Sequence, residues 1–517
     1  MNYPSKKRHP QGERLQSKEL TSNPRITVDT YAGRVQVEWD SEAAVTPMGQ
    51  LSFFIEFLKT TKLFDGLVDD CPLELKSNNA SKIRDVLGSM VLSILSGHTR
   101  YSHVTALRGE SVNADLLGMK KMVSEDVIRR MLLKMDEEAG INWLEKHLKK
   151  CYEHLLTLPW ILDLDASVKP LYGKQEAAEV GYNPQKPGRP SHTYHSYFIA
   201  NIRMVLNVDV QSGKNISGSY SMPRLWTLLD SLPNAQQPKF IRGDISYGTD
   251  RIISEAESRE LGFLFKLKCT SRVKDVIKRN MERRYRWEKA GHGFEGIEDE
   301  VQLTGWNYPR RVIILRRKVN RDIGILSRNK KTKQLSFQFA EIDPKVGAYE
   351  YSVLVTNLDD EVMTLATHYR DRGDSENNFD ELKNQWGWGG FTTHDLKRCK
   401  LIARFIALVY DWWTIFMRLV DQDTHREAIT SRPLILNAVG KLTTHGRQKI
   451  LTITSSHAKT EKIKKALSII SRFFHSLQRT AEQFTSTTIL KHVLEAAFRK
   501  FFDARGNSPP KTLLLGT

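Results

Sequence analysis

Tyr369, Arg372, Glu376 and Lys383 stand at offsets 0, +3, +7 and +14 within a single polar run ending at Lys383. On a continuous helix turning about 100° per residue they fall near 0°, −60°, −20° and −40°, which is one narrow stripe. One carboxylate among two cations and a phenol makes a poor core face. It is well suited to holding a divalent metal beside a phosphodiester. The plain alternative is an ion pair between Glu376 and Arg372 four residues before it, worth a few tenths of a kcal/mol.

Two further acids sit where a sheet would present them. Asp165 closes the apolar run Trp160-Ile161-Leu162-Asp163-Leu164-Asp165, with Asp163 two residues earlier on the same strand face. Asp244 follows Phe240-Ile241-Arg242-Gly243 at a strand-to-helix turn. Acids at the carboxyl ends of strands lie where an open α/β fold forms its ligand site. Three carboxylates on two strands and a helix can hold two Mg2+ ions ~4 Å apart, with Mn2+ as the substitute, for in-line attack on a phosphodiester. Taken singly, Asp165 and Asp244 also read as turn or helix caps. Asp163 competes with Asp165 for the same role.

The elements that must position these groups follow from periodicity. Residues 1–25 read as a basic disordered arm, and 26–157 as a helical, DNA-binding region. Within it, Ser124 is the expected N-cap of a basic helix bearing Arg129 and Arg130, either a recognition helix or an ordinary surface one. Residues 158–268 read as the first part of an α/β core, with strands at 160–168, 196–209, 215–220, 239–243 and 262–268 and helices at 222–232 and 248–261. A basic β-rich insertion is expected over 269–360, including a strand at 335–340. The core resumes over 361–424 with the long Tyr369 helix and a Leu396–Val420 helix. Residues 425–517 read as helical and basic.

Composition narrows the partner. The 517 residues are 40% hydrophobic and carry 78 Lys+Arg against 60 Asp+Glu, a net charge of +18. That excess favours a polyanion, with nucleic acid ahead of a membrane surface. Cys71, Cys151, Cys269 and Cys399 are widely spaced, arguing against a zinc site or disulfide framework and for a reducing cytoplasm. The N-terminal stretch lacks the apolar segment of a secretory signal. Arg404, Asp411 and Arg418 interrupt the longest apolar run, so a buried helix is expected there and not a membrane span.

The spacing Tyr369-x2-Arg372-x3-Glu376-x6-Lys383 resembles the Y-R-E-K signature of prokaryotic cut-and-paste DDE transposases, whose catalytic domain is ribonuclease H-like. Leu162-Asp163-Leu164-Asp165-Ala166-Ser167 resembles that family's first acidic strand and Arg242-Gly243-Asp244 its second, so the likeness covers about 160–420. It implies Asp165, Asp244 and Glu376 as the metal-binding triad, with Tyr369, Arg372 and Lys383 on transposon-end DNA. It also implies element-end inverted repeats and target DNA as partners, and a nucleoid-associated homodimer with 425–517 as an interface. The reaction implied is hydrolysis at the element end, then attack of the freed 3′-OH on a second strand. Trp287 and Trp306 are candidates for stacking on an unpaired end base, or for packing the insertion. Gly188-Arg189-Pro190 resembles an AT-hook core that would set Arg189 in a minor groove, although a plain loop is the alternative. Two other functions fit the same residues: a metal-dependent nuclease without strand transfer, and a DNA-binding protein whose acids are relics.

Overall fold

The computed structural model describes residues 26–40, 43–74, 77, 79–183, 186–281, 287–318, 349–455, 459–479 and 485–503. The expected arm at 1–25 and the strand at 335–340 lie outside them. The architecture is mixed α/β, as expected, with helical regions flanking a large sheet. An exposed hairpin, β1 (Ile26–Thr30) and β2 (Gly33–Val37), precedes β3 (Val45–Thr46) and the N-terminal helices. The central strands are β4 (Ile161–Pro170), β5 (Glu179–Val180), β6 (Pro190–Ile199), β7 (Met204–Ser212), β8 (Phe240–Gly243) and β9 (Gly262–Lys266). β10 (Glu288–Gly291), β11 (Phe294–Val301), β12 (Arg310–Lys318) and β13 (Tyr349–Thr356) follow. The strand order is β10-β11-β12-β13-β9-β8-β4-β6-β5, with β7 on β6.

The polarity of the core strands decides where the acids go. β4, β8 and β9 run parallel, while β6 and β7 are antiparallel neighbours. The parallel pairing of β4 with β8 ends at Asp163–Arg242, yet β4 runs on to Pro170 against β6. Asp165 therefore lies inside a strand and not at its end, just past the point where β8 leaves the sheet. Alternation does the rest. Leu162, Leu164, Ile241 and Phe263 enter the large core beneath the flanking helices. Ile161, Phe240 and Leu264 face the opposite side, under the Val362–Arg370 helix. Asp163 and Asp165 share the Ile161 face.

Several expectations change. The run at 196–209 is the β6–β7 hairpin, and 215–220 enters the Gly218–Asp230 helix behind an N-cap at Ser217, whose hydroxyl oxygen accepts from Ser219 N. The basic stretch after 269 forms the Ser271–Met281 helix. The last strand of the expected insertion, β13, pairs directly with β9 and extends the core sheet. The region after 425 holds a hairpin, β14 (Gly440–His445) and β15 (Gln448–Ile453), which joins β3 in a three-stranded sheet. The anticipated long Tyr369 helix is two: Val362–Arg370 and Arg372–Asn384. At the junction Asp374 N donates to Asp371 O at 3.2 Å, an i→i+3 bond that tightens the turn. Gly373 one residue on, with its low helix propensity, weakens continuity there.

The Leu396–Val420 helix starts at Asp395, which accepts from Arg398 N, and is buried along nearly its whole length. Its charges are paired internally: Arg404 with Glu145 at 3.1 Å, and Asp411 accepting from Val205 N at 2.9 Å. Among the described residues no helix is long and apolar enough to cross a membrane. Trp386, Trp388, Trp412 and Trp413 pack the core, each at most 3% exposed.

Candidate active site

The two strand acids that the sequence left in competition have different neighbours. Asp163 is fully buried and takes the guanidinium of Arg242, itself 1% exposed, with Nη2 at 2.6 Å from Oδ2. Ser375 Oγ donates to the same carboxylate, and Arg242 also donates to the His368 carbonyl. Asp163 thus ties β4 to β8 and to the Arg372–Asn384 helix, and through Arg242 to the Val362–Arg370 helix.

Asp165 faces a different set. Its side chain is 21% exposed, and Arg372 Nη2 donates to Oδ1 at 2.9 Å. Arg372 Nη1 donates to Glu376, whose side chain is 59% exposed. One guanidinium therefore bridges Asp165 and Glu376. The i−4 pair foreseen as the plain reading of Glu376 is present, and it reaches onward to the strand acid. Burial pushes Asp165 up to about 6 despite Arg372, and repulsion from Asp244 and Glu376 adds to it.

Asp244 sits at the turn after β8. Its Oδ1 accepts from Ser246 N at 2.9 Å and from Ser246 Oγ at 2.6 Å, which orients the carboxylate. The turn needs Gly243: a Cβ there would lie 2.7 Å from the ring of Tyr247, which is buried against the strand. Across the parallel ladder, the pairing Gly243–Phe265 brings Lys266 level with Asp244. Lys266 is 7% exposed, and burial lowers it to about 7 against the pull of Asp244 and Glu376.

The helix carrying Glu376 is held at three points. Arg372 grips Asp165, Ser375 grips Asp163, and Arg203 from the β6–β7 turn donates to Asn378 Oδ1 at 3.0 Å and pairs with Asp374 at 3.4 Å. Arg203, Arg242, Ser375 and Lys266 were not singled out as site residues from the sequence. Arg242 carried a signal, being a charge inside a strand otherwise apolar up to Gly243, which called for a buried partner.

The remaining expected residues divide. Lys383 is half-buried on the Glu376 helix. Tyr369 is 8% exposed, on the preceding helix and packed against the sheet, and burial raises its hydroxyl pKa. Of the two readings of Trp306, the ring's surroundings match packing of the insertion: it is 6% exposed, with Arg310 4.7 Å from its centroid. Trp287 is half-buried, with Arg316 3.9 Å over its ring and its indole N–H bonded to Asn280 O. Arg189 is exposed and lies over Tyr172 at 5.0 Å, immediately before β6 begins at Pro190. Ser124 does precede the Glu125–Lys134 helix, although Arg129 there turns onto the Tyr101 ring at 5.3 Å.

Among the described residues no three metal-ligating side chains converge at bonding distance. The donor set nevertheless fits a divalent cation in its chemistry. Its oxygens are hard carboxylate donors, and burial, with repulsion from Asp244 and Glu376 added, holds Asp165 near 6 beside an arginine.

The family described as transposase DDE domain, group 1, matches residues 34–474. None of the curated proteins matches the chain. Among solved structures, the chain is similar to the piggyBac transposase in a cryo-EM synaptic complex with hairpin DNA, at 10% identity over 88% of each chain with a TM-score of 0.39.

Proposed function

The chain belongs to the transposase DDE domain family, group 1, and on that footing we propose that it binds double-stranded DNA at element ends and performs metal-dependent strand cleavage and transfer as a homodimer, on a ribonuclease H-like core. The observation that carries this reading is the common electrostatic neighbourhood of Asp165, Asp244 and Glu376, drawn from β4, the end of β8 and a helix.

In this reading Asp165, Asp244 and Glu376 hold Mg2+ or Mn2+. When bound, such ions activate the attacking oxygen and stabilise the leaving one. The chain's own groups do the positioning. Ser246 fixes Asp244, and Asp163 with Arg242 fixes the sheet under the helix. Arg372 neutralises Asp165 and Glu376, and with a cation bound to those acids its guanidinium would be free to pair with a phosphate oxygen. Lys266 lies beside Asp244, where a scissile phosphate would need a counter-charge.

Strand transfer separates this function from its nearest rival. With pre-cleaved end DNA, a plasmid target and Mg2+, joined product is expected. End cleavage without any joined product would favour a nuclease on the same scaffold.

The ion should also leave a pH signature. Asp165 has its folded pKa raised above the ordinary carboxylate value, so its contribution to folding without metal is complete below about 3.8 and is lost as pH rises through about 6. A bound cation needs the ionised form, so the trend reverses. Thermal unfolding with Mn2+ against EDTA should show stabilisation growing from pH 5 and levelling off above about 6. A Mn2+ effect independent of pH would remove Asp165 from the ligand set.

A further inference from the structure

One basic stretch of this chain lies outside the elements that carry Asp165, Asp244 and Glu376. Between Gly440 and Arg479 there are nine Lys and Arg and a single acid, Glu461, so 40 residues hold +8 of the chain's +18. These residues form the β14–β15 hairpin and the Thr460–Arg479 helix.

The hairpin is held at its base by β3, and nearer its turn by an ion pair between Lys449 and Asp115 at 2.5 Å. Its cross-strand register puts Leu442 and Leu451 on one face, and Lys441, Thr443, His445 and Gln448 on the other. Arg447 stands in the exposed turn beside Gly446, whose φ of +62° lets the chain reverse tightly. The helix buries Ile463, Leu467, Ile470, Phe474 and Leu477, which leaves Lys462, Lys465, Arg472 and Arg479 exposed. Among the described residues Lys441, Arg447, Lys462 and Lys465 form no ion pair. Unscreened like charges repel and raise the energy of the folded surface, and a polyanion relieves that cost.

We propose that the β14–β15 hairpin and the exposed side of the Thr460–Arg479 helix form a phosphate-binding face for double-stranded DNA, with the hairpin entering a groove. This rests on the reading of the chain as a DNA-processing enzyme. A two-stranded ribbon fits the ~12 Å major groove, and lysine and arginine contacts to phosphate fix its register without reading sequence.

The test uses the full chain and two surface variants, K441Q/R447Q and K462Q/K465Q, on a 30-base-pair duplex over a series of NaCl concentrations. Each lost phosphate contact reduces the slope of log K against log salt by about 0.9, so each variant should be shallower by about 2. The loss should be similar for unrelated duplex sequences, and single-turnover cleavage at saturating protein should be unchanged. Unchanged slopes in both variants, with the wild type binding normally, overturn this inference alone. Equal loss of binding to anionic phospholipid vesicles with DNA binding retained assigns the face to a membrane and also overturns it. A wild type that binds no duplex at any salt overturns this inference and the proposed function together.

Discussion

Asp165→Asn will slow metal-dependent DNA cleavage by at least about 10³-fold, roughly 4 kcal/mol in barrier height, while the protein stays folded and binds duplex DNA. The amide keeps the size of the side chain and can still meet Arg372, which retains Glu376 as its second partner. What disappears is the charge that burial and two neighbouring acids already hold near its limit, with a pKa of about 6. Glu376→Gln should behave alike. Its exposed carboxylate contributes little to packing, so a loss of rate there cannot be put down to unfolding. Single-turnover cleavage in Mg2+, fluorescence anisotropy with labelled duplex, and circular dichroism together separate chemistry from binding and folding. Cleavage within tenfold of wild type in either variant would sink the three-carboxylate assignment.

Asp163→Ala, only two residues away, should fail in a different manner. Removing one member of a buried ion pair leaves the other charge uncompensated and costs about 3–5 kcal/mol. Arg242 is 1% exposed and would lose its partner, and Ser375 would lose its acceptor. The expected result is a large downward shift of the urea midpoint, with the fraction that remains folded still cleaving DNA. Replacing both partners, as Asp163→Leu with Arg242→Met, should recover much of the lost stability, because two apolar side chains need no solvation. A cost of less than about 1 kcal/mol would sink the structural role of Asp163, and lost cleavage with stability intact would assign the reaction to Asp163 in place of Asp165.

A large part of this site is already present in the order of residues. Tyr369, Arg372, Glu376 and Lys383 could be picked out because helical spacing makes a chemical stripe visible in one dimension, and Asp165 and Asp244 because acids bordering apolar strands break a strong pattern. The α/β class and the buried character of the Leu396–Val420 helix were legible for the same reason: hydrophobic period is a local property. Hairpins and sheet extension were not legible. β13 joins β9, and β14 joins β3, across hundreds of residues in the latter case, and such pairings leave no local signal.

Only the tertiary structure gives Asp163 and Asp165 different partners. Both lie on one strand face two residues apart, so every sequence rule treats them equally. The parallel ladder ends between them: Arg242 of β8 reaches Asp163 and goes no further, while Asp165 is left to Arg372 from the helix above. The same packing turned the Glu376–Arg372 pair from an isolated helical contact into a bridge to the sheet, and carried Tyr369 into the core once the helix broke at Asp371. Chemistry-bearing residue types are written in the chain, whereas the partner each one meets depends on where strands stop and which charges are buried together.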